Sequence, residues 1–177
     1  LSLEGYDITA FDAPAHGYSE GNLLNVPIYN DTLDMMLKKY KPQLIIGHSM
    51  GGMTTVFNQY LKEKPNIKKM VLLGAPSDLK RIMDGFQKIL ALSDKFMRKT
   101  EDYFIARYGY SFVDFSTKDF AKHVKTPSLI IHDKYDKIVP YREGQDIHEC
   151  MQNSELRVRT PALASHKVSR CLSGLSH

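Results

Sequence analysis

The chain has 177 residues, 42% of them hydrophobic, and its 24 Lys plus Arg against 20 Asp plus Glu leave a formal charge of +4. That length supports one domain with a sizeable core, and the small positive excess is spread along the chain instead of forming the basic patch of a nucleic-acid binder. Two cysteines, Cys150 and Cys171, lack CxxC spacing and so argue for neither a disulfide framework nor a metal site. No apolar run approaches the roughly 20 residues that span a bilayer, and no charged-then-apolar leader precedes the first apolar run, so a cytoplasmic location without a membrane partner is expected.

Apolar segments of strand length recur at Tyr6–Phe11, Leu44–Gly47, Met70–Leu73, Leu129–His132 and Leu156–Val158. Helical periodicity fills the intervals, an alternation that predicts an α/β fold with a mostly parallel sheet flanked by helices. Asn30 or Asp31 can cap a crossover helix whose apolar face is Leu33, Met36, Leu37 and Tyr40, with Pro42 just past its end. After Ser49 a second helix is expected, with Met53, Val56, Phe57, Tyr60 and Leu61 inward and Asn58, Gln59, Lys62 and Glu63 outward.

Between Gly74 and Pro127 no strand is expected. The segment holds a helical stripe of Ile82, Met83, Phe86, Ile89 and Leu90, then the aromatic-rich "YFIARYGYSFVDF". A simple crossover needs far fewer residues, so residues 77–125 or thereabouts read as a helical cap inserted into a single domain of residues 1–177.

The first and second predicted helices bracket the most informative stretch, "LIIGHSMGG". Gly47-His48-Ser49-Met50-Gly51 fits G-x-S-x-G between an apolar strand and an amphipathic helix, the context of a nucleophile elbow. A turn this sharp strains the serine backbone and favours residues without bulk beside it. It lifts the Ser49 hydroxyl above the sheet edge and leaves the Met50 N–H free to stabilise an oxyanion.

A serine needs a base, and the base needs an acid to orient it. "PSLIIHDKYDKIVP" is a strand running into a loop that carries Asp133 and Asp136; the loop lies at the carboxyl end of the strand, where ligands of open α/β sheets collect. Asp136 is the expected acid and Asp133 the alternative. His166, following the last strand, completes the chain order Ser, Asp, His, with the terminal His177 as the other downstream histidine. His48, His123, His132 and His148 read as structural, and no metal-ligand spacing is present.

These residues resemble the α/β-hydrolase superfamily over nearly the whole chain. "GYDITAFDAPAHGYSEG" is similar to the family's D-x-P-G-H-G-x-S loop through Asp12, Pro14, His16, Gly17 and Ser19, with Ala15 in place of glycine. The resemblance implies an α/β-hydrolase fold that lacks its first strands, as in an N-terminally truncated hydrolase, because three further strands and a second oxyanion donor would precede residue 6. The strands at Tyr6–Phe11 and Leu44–Gly47 would then either pair directly or leave a gap. Ser165 stands where the family has glycine, ahead of a tail with few periodic apolar positions.

By resemblance the expected function is a serine hydrolase that cleaves a carboxylic ester through an acyl-enzyme. Ser49, Asp136 and His166 would form its triad, no cofactor would be needed, and a small-molecule ester with a small or medium apolar acyl group would lie under the aromatic cap. An inactive or ligand-binding chain of the same fold is the alternative, as is an acyltransferase or peptidase using the same triad.

Overall fold

A computed structural model describes residues 5–62, 64 and 66–160. Its order is α1 (Val26–Tyr40), β1 (Leu44–His48), α2 (Met50–Leu61), β2 (Lys69–Leu73), α3 (Leu79–Ile89), α4 (Asp94–Tyr108), α5 (Thr117–Ala121), β3 (Ser128–Asp133), α6 (Tyr141–Cys150) and β4 (Ser154–Arg159). The strands form one parallel sheet in the order β1-β2-β3-β4, with Ile45 opposite Met70, Leu72 opposite Ile130, and Ile130 opposite Leu156. Four of the five apolar runs therefore become strands, joined by helical crossovers as parallel pairing requires.

The fifth does not. Residues 6–13 are irregular, and Tyr6 and Ile8 are 44% and 50% exposed. A β-strand exists only where its N–H and C=O groups meet a partner ladder, and among the described residues this segment has none, so it remains solvated. Nor does it pair with β1. That strand is hydrogen-bonded only to β2 among the described residues, and on its uncovered face Ile46 is 43% exposed.

Helix α1 starts a turn earlier than its sequence suggests. Asn25 is the cap, its side-chain oxygen accepting the Ile28 N–H at 2.9 Å, and Pro27 occupies the first turn, where its missing N–H has no cost. Asn30 is instead buried inside the helix interface along with Val26, Leu33 and Leu37. There Asn58 of α2 donates to the Asn30 side-chain oxygen at 2.8 Å, and Gln59 donates to Asn58 at 3.3 Å. Asn58 and Gln59, expected outward, are therefore 2% and 4% exposed, because partners on both helices satisfy their amides. Helix α2 is enclosed almost all round and packs on α1, α5, β1 and β2.

The core is centred on Met53, Val56, Met70, Leu72, Ile130 and Ile147, none more than 1% exposed. Four aromatics of the long connection join it. Phe115 is fully buried, with its ring 4.8 Å from Phe57 of α2, and Phe120 lies 5.3 Å from the same ring. Phe104 and Phe112 are buried beside them. Phe115 and Phe120 brace α2 directly, and Phe104 joins Phe112 to Phe115 in a cluster of tilted and edge-on rings. In α3 the stripe is divided: Ile82 and Met83 pack on the core, while Phe86, Ile89 and Leu90 are 45%, 74% and 62% exposed.

Two charged groups tie this connection down. Glu143, 4% exposed on α6, accepts from the Ser77 N–H at 2.8 Å and the Ser77 hydroxyl at 2.5 Å, and from Arg81 of α3 at 2.8 Å. Arg81 also reaches Asp146 at 3.0 Å, and its guanidinium is raised further above its ordinary value, first by the Glu143 hydrogen bond.

Candidate active site

Ser49 sits between β1 and α2 with φ 51° and ψ −121°, a conformation that a side chain adopts only under constraint. The constraint comes from both sides. The Ser49 N–H donates to the Leu73 carbonyl at 2.8 Å, which fixes the turn to the end of β2. Its own carbonyl accepts from Gly52 at 2.9 Å and Met53 at 3.2 Å, starting the helix. The Ser49 hydroxyl does not cap α2, so the side chain is not spent on the helix it precedes. The Met50 N–H, at the first position of α2, meets no backbone acceptor among the described residues.

The glycines around this turn are not equivalent. A Cβ at Gly47 would lie 2.5 Å from the Gly51 carbonyl oxygen and 2.8 Å from the Gly52 Cα, so β1 and α2 touch backbone to backbone. At Gly52 it would lie 2.6 Å from the Ala75 Cβ. Gly51, the second glycine of the motif, has its nearest neighbour at 3.5 Å, the Tyr29 hydroxyl, an ordinary contact. The close packing of helix on sheet therefore needs positions 47 and 52. Tyr29 belongs to the first turn of α1 and stacks edge-on against Phe11, with ring centroids 6.0 Å apart; partial burial raises its phenol above the ordinary value. Starting the helix at Asn30 or Asp31 hides Tyr29 from sequence reasoning.

Asp136 lies in the loop after β3. Its Oδ1 accepts the Ile138 N–H at 2.8 Å and the Val139 N–H at 2.9 Å, which leaves Oδ2 uncommitted among the described residues. Oδ2 is 3.7 Å from where a Cβ on Gly74 would stand, and Gly74, at φ +53°, is the residue after β2. Ser49 is hydrogen-bonded to Leu73, and Gly74, the next residue, is the one that Asp136 approaches, so both side chains belong to the carboxyl end of β2. Asp133, by contrast, accepts the Tyr135 N–H at 2.9 Å and closes the turn of its own loop.

His166 and His177 lie outside the described residues, as does Cys171; Cys150 is a free thiol. The Arg159 carbonyl at the end of β4 accepts the Lys134 N–H at 3.0 Å, so the chain leaves the sheet beside the loop of Asp136. Among the described residues no three His, Cys, Asp or Glu gather as a metal site, and no helix is long and apolar enough to cross a membrane.

The "DAPAHGYSEG" loop is held by its first residue. Asp12 accepts the Tyr18 N–H at 3.0 Å through Oδ2 and the Ser19 hydroxyl at 2.8 Å through its carbonyl. A side chain on Gly17 would collide with the Asp12 carboxylate. Ala15 takes φ 60° where a glycine would be unstrained. A shallow groove between this loop and α1, lined by Pro14, Ser19, Leu23, Ile28 and Thr32 among others, includes neither Ser49 nor Asp136.

Lysophosphatidylserine lipase ABHD12 of Danio rerio is 24% identical over 174 residues, covering 95% of this chain and 44% of that protein. Serine hydrolase BPHL of Mus musculus is 24% identical over 188 residues, covering 89% of this chain and 63% of that one. The chain thus spans less than two thirds of the length of either relative. Among solved structures, a lipase-esterase related protein from Clostridium acetobutylicum superposes with a TM-score of 0.64 at 20% identity, over 93% of this chain and 80% of that one. The family model described as the alpha/beta hydrolase fold matches residues 1–101, which include the whole of the Ser49 turn, and with that match the chain belongs to the α/β-hydrolase family.

Proposed function

We propose that this chain carries the catalytic residues of a serine hydrolase acting on a carboxylic ester. The observation that carries the reading is Ser49 held at φ 51° and ψ −121° on the turn between β1 and α2, with the spare oxygen of Asp136 beside Gly74 at the same end of β2. In the first half-reaction the Ser49 Oγ attacks the ester carbonyl while its proton passes to His166, oriented by Asp136. The Met50 N–H stabilises the resulting oxyanion. The C–O bond to the alcohol breaks, and the alcohol leaves with the proton from His166. Water then attacks the acyl-enzyme by the same route and releases the acid.

The names of the relatives, a lysophosphatidylserine lipase and a serine hydrolase, favour this reaction class over a purely binding role. The connection of α3, α4 and α5 acts as the cap of the single domain. Phe104, Phe112, Phe115 and Phe120 are committed to the core, so the open apolar face of α3 at Phe86, Ile89 and Leu90 is the surface it offers to an acyl group.

A fluorophosphonate probe tests the reading directly. It should label the protein at Ser49, and Ser49→Ala should abolish labelling. A folded protein that resists the probe refutes it. Faster turnover of aminoacyl amides than of short p-nitrophenyl esters would replace the esterase with a peptidase on the same residues.

A further inference from the structure

His132 stands out as a buried polar group outside the proposed triad. It is the penultimate residue of β3, fully buried, with Nδ1 lacking a hydrogen-bond partner. Its Nε2 lies 2.7 Å from the Val139 carbonyl oxygen. A carbonyl only accepts, so the proton sits on Nε2, and Nδ1 is left as a buried lone pair. Helix α6 closes over that side: a Cβ on Gly144 would lie 2.6 Å from Nδ1 and 3.0 Å from Cγ. Tyr141 covers the ring from another direction, edge-on at 6.1 Å. The ring is therefore locked, and it carries an unpaired nitrogen that a leucine would avoid.

What the imidazole obtains in exchange is control of Val139. His132 holds the Val139 carbonyl, and the Val139 N–H in turn donates to Asp136 Oδ1 at 2.9 Å. Val139, next to last in the loop before α6, is thus held through both its carbonyl and its N–H. With Oδ1 fixed by Val139 and Ile138, Oδ2 is turned toward Gly74, the residue after the Leu73 carbonyl that holds Ser49. We propose that His132 is a positioning residue, which sets the orientation of the Asp136 carboxylate through Val139. The proposal rests on the assignment of Asp136 as the acid of the hydrolase.

Two amide variants separate this role from packing. Gln at 132 places an N–H where Nε2 was, whereas Asn places one near Nδ1, out of reach of Val139. Hydrogen exchange at the Ile138 and Val139 amides should accelerate in His132→Asn and stay near the wild-type rate in His132→Gln. Ester turnover should follow, with kcat about 10- to 100-fold lower in His132→Asn, KM little changed, and most of the loss restored in His132→Gln. In an Asp136→Asn background the same His132→Asn change should have no further effect on kcat, because its route to the chemistry is gone. Equal exchange rates in the two variants, or an undiminished kcat loss in the Asp136→Asn background, would overturn the positioning role while leaving the acid in place. Full activity in Asp136→Asn alone would instead remove the acid assignment, and this proposal with it.

Discussion

Alanine substitutions at Gly47, Gly51 and Gly52 offer a direct test of how the Ser49 turn is built, because the three are chemically identical and sterically different. At Gly47 the new methyl would meet backbone atoms of α2 at 2.5, 2.7 and 2.8 Å, and backbone cannot rotate aside as a side chain can. Strand and helix must separate by most of an ångström, a displacement at the upper end of the overpacking range, about 3 kcal/mol. At Gly52 the clash is methyl on methyl with Ala75 at 2.6 Å, and the helix propensity of alanine offsets part of it, leaving about 1–2 kcal/mol. At Gly51 nothing stands closer than 3.5 Å and the backbone is helical, so alanine should stabilise by up to about 1 kcal/mol. For a chain of this size the expected changes in Tm are roughly −6 to −12 °C, −2 to −8 °C and up to +4 °C, read by circular dichroism melting. Pairing Gly52→Ala with Ala75→Gly should recover most of its loss. If Gly51→Ala proved as destabilising as Gly47→Ala, the backbone contact between β1 and α2 would not be the reason for glycine in this turn.

Three further outcomes follow from local geometry. Ala15→Gly should stabilise by about 1 kcal/mol in urea unfolding, since the residue holds φ 60° and relief of that strain exceeds the entropy glycine adds to the unfolded chain. Asp34 lies 2.6 Å from Lys64 and 2.9 Å from Lys38, which hold its carboxyl at about 2, Lys64 contributing most. Because the folded value is below the unfolded value of about 3.9, the contribution is complete above pH ~4 and disappears as pH falls through ~2. The stability gap between wild type and Asp34→Asn, measured from pH 7 to 2, should therefore shrink from about 1 kcal/mol to nothing, the small size reflecting solvent screening. Glu143→Ala should lower unfolding free energy by about 3 kcal/mol, since it leaves Ser77 without its acceptor while half-exposed Arg81 can rehydrate; Glu143→Gln should lose less in the same urea titration.

Sequence by itself determined the elements whose signals are local. The apolar runs of β1 to β4, the crossover helices between them, the serine after β1 and the carboxylates after β3 all follow from periodicity, turn residues and chain order, which depend on near neighbours. Tertiary structure decided what depends on partners distant in the chain. Residues 6–11 have the composition of a strand yet form none, because a ladder needs a second backbone. Asn58 and Gln59 look like surface residues until Asn30 arrives to satisfy them. Gly52 is the more crowded of the two helix glycines because Ala75, just past β2, approaches it, and His132 becomes a clamp because Val139 returns to it across the loop. Periodicity records which way a side chain points; only the folded chain supplies the group it meets there.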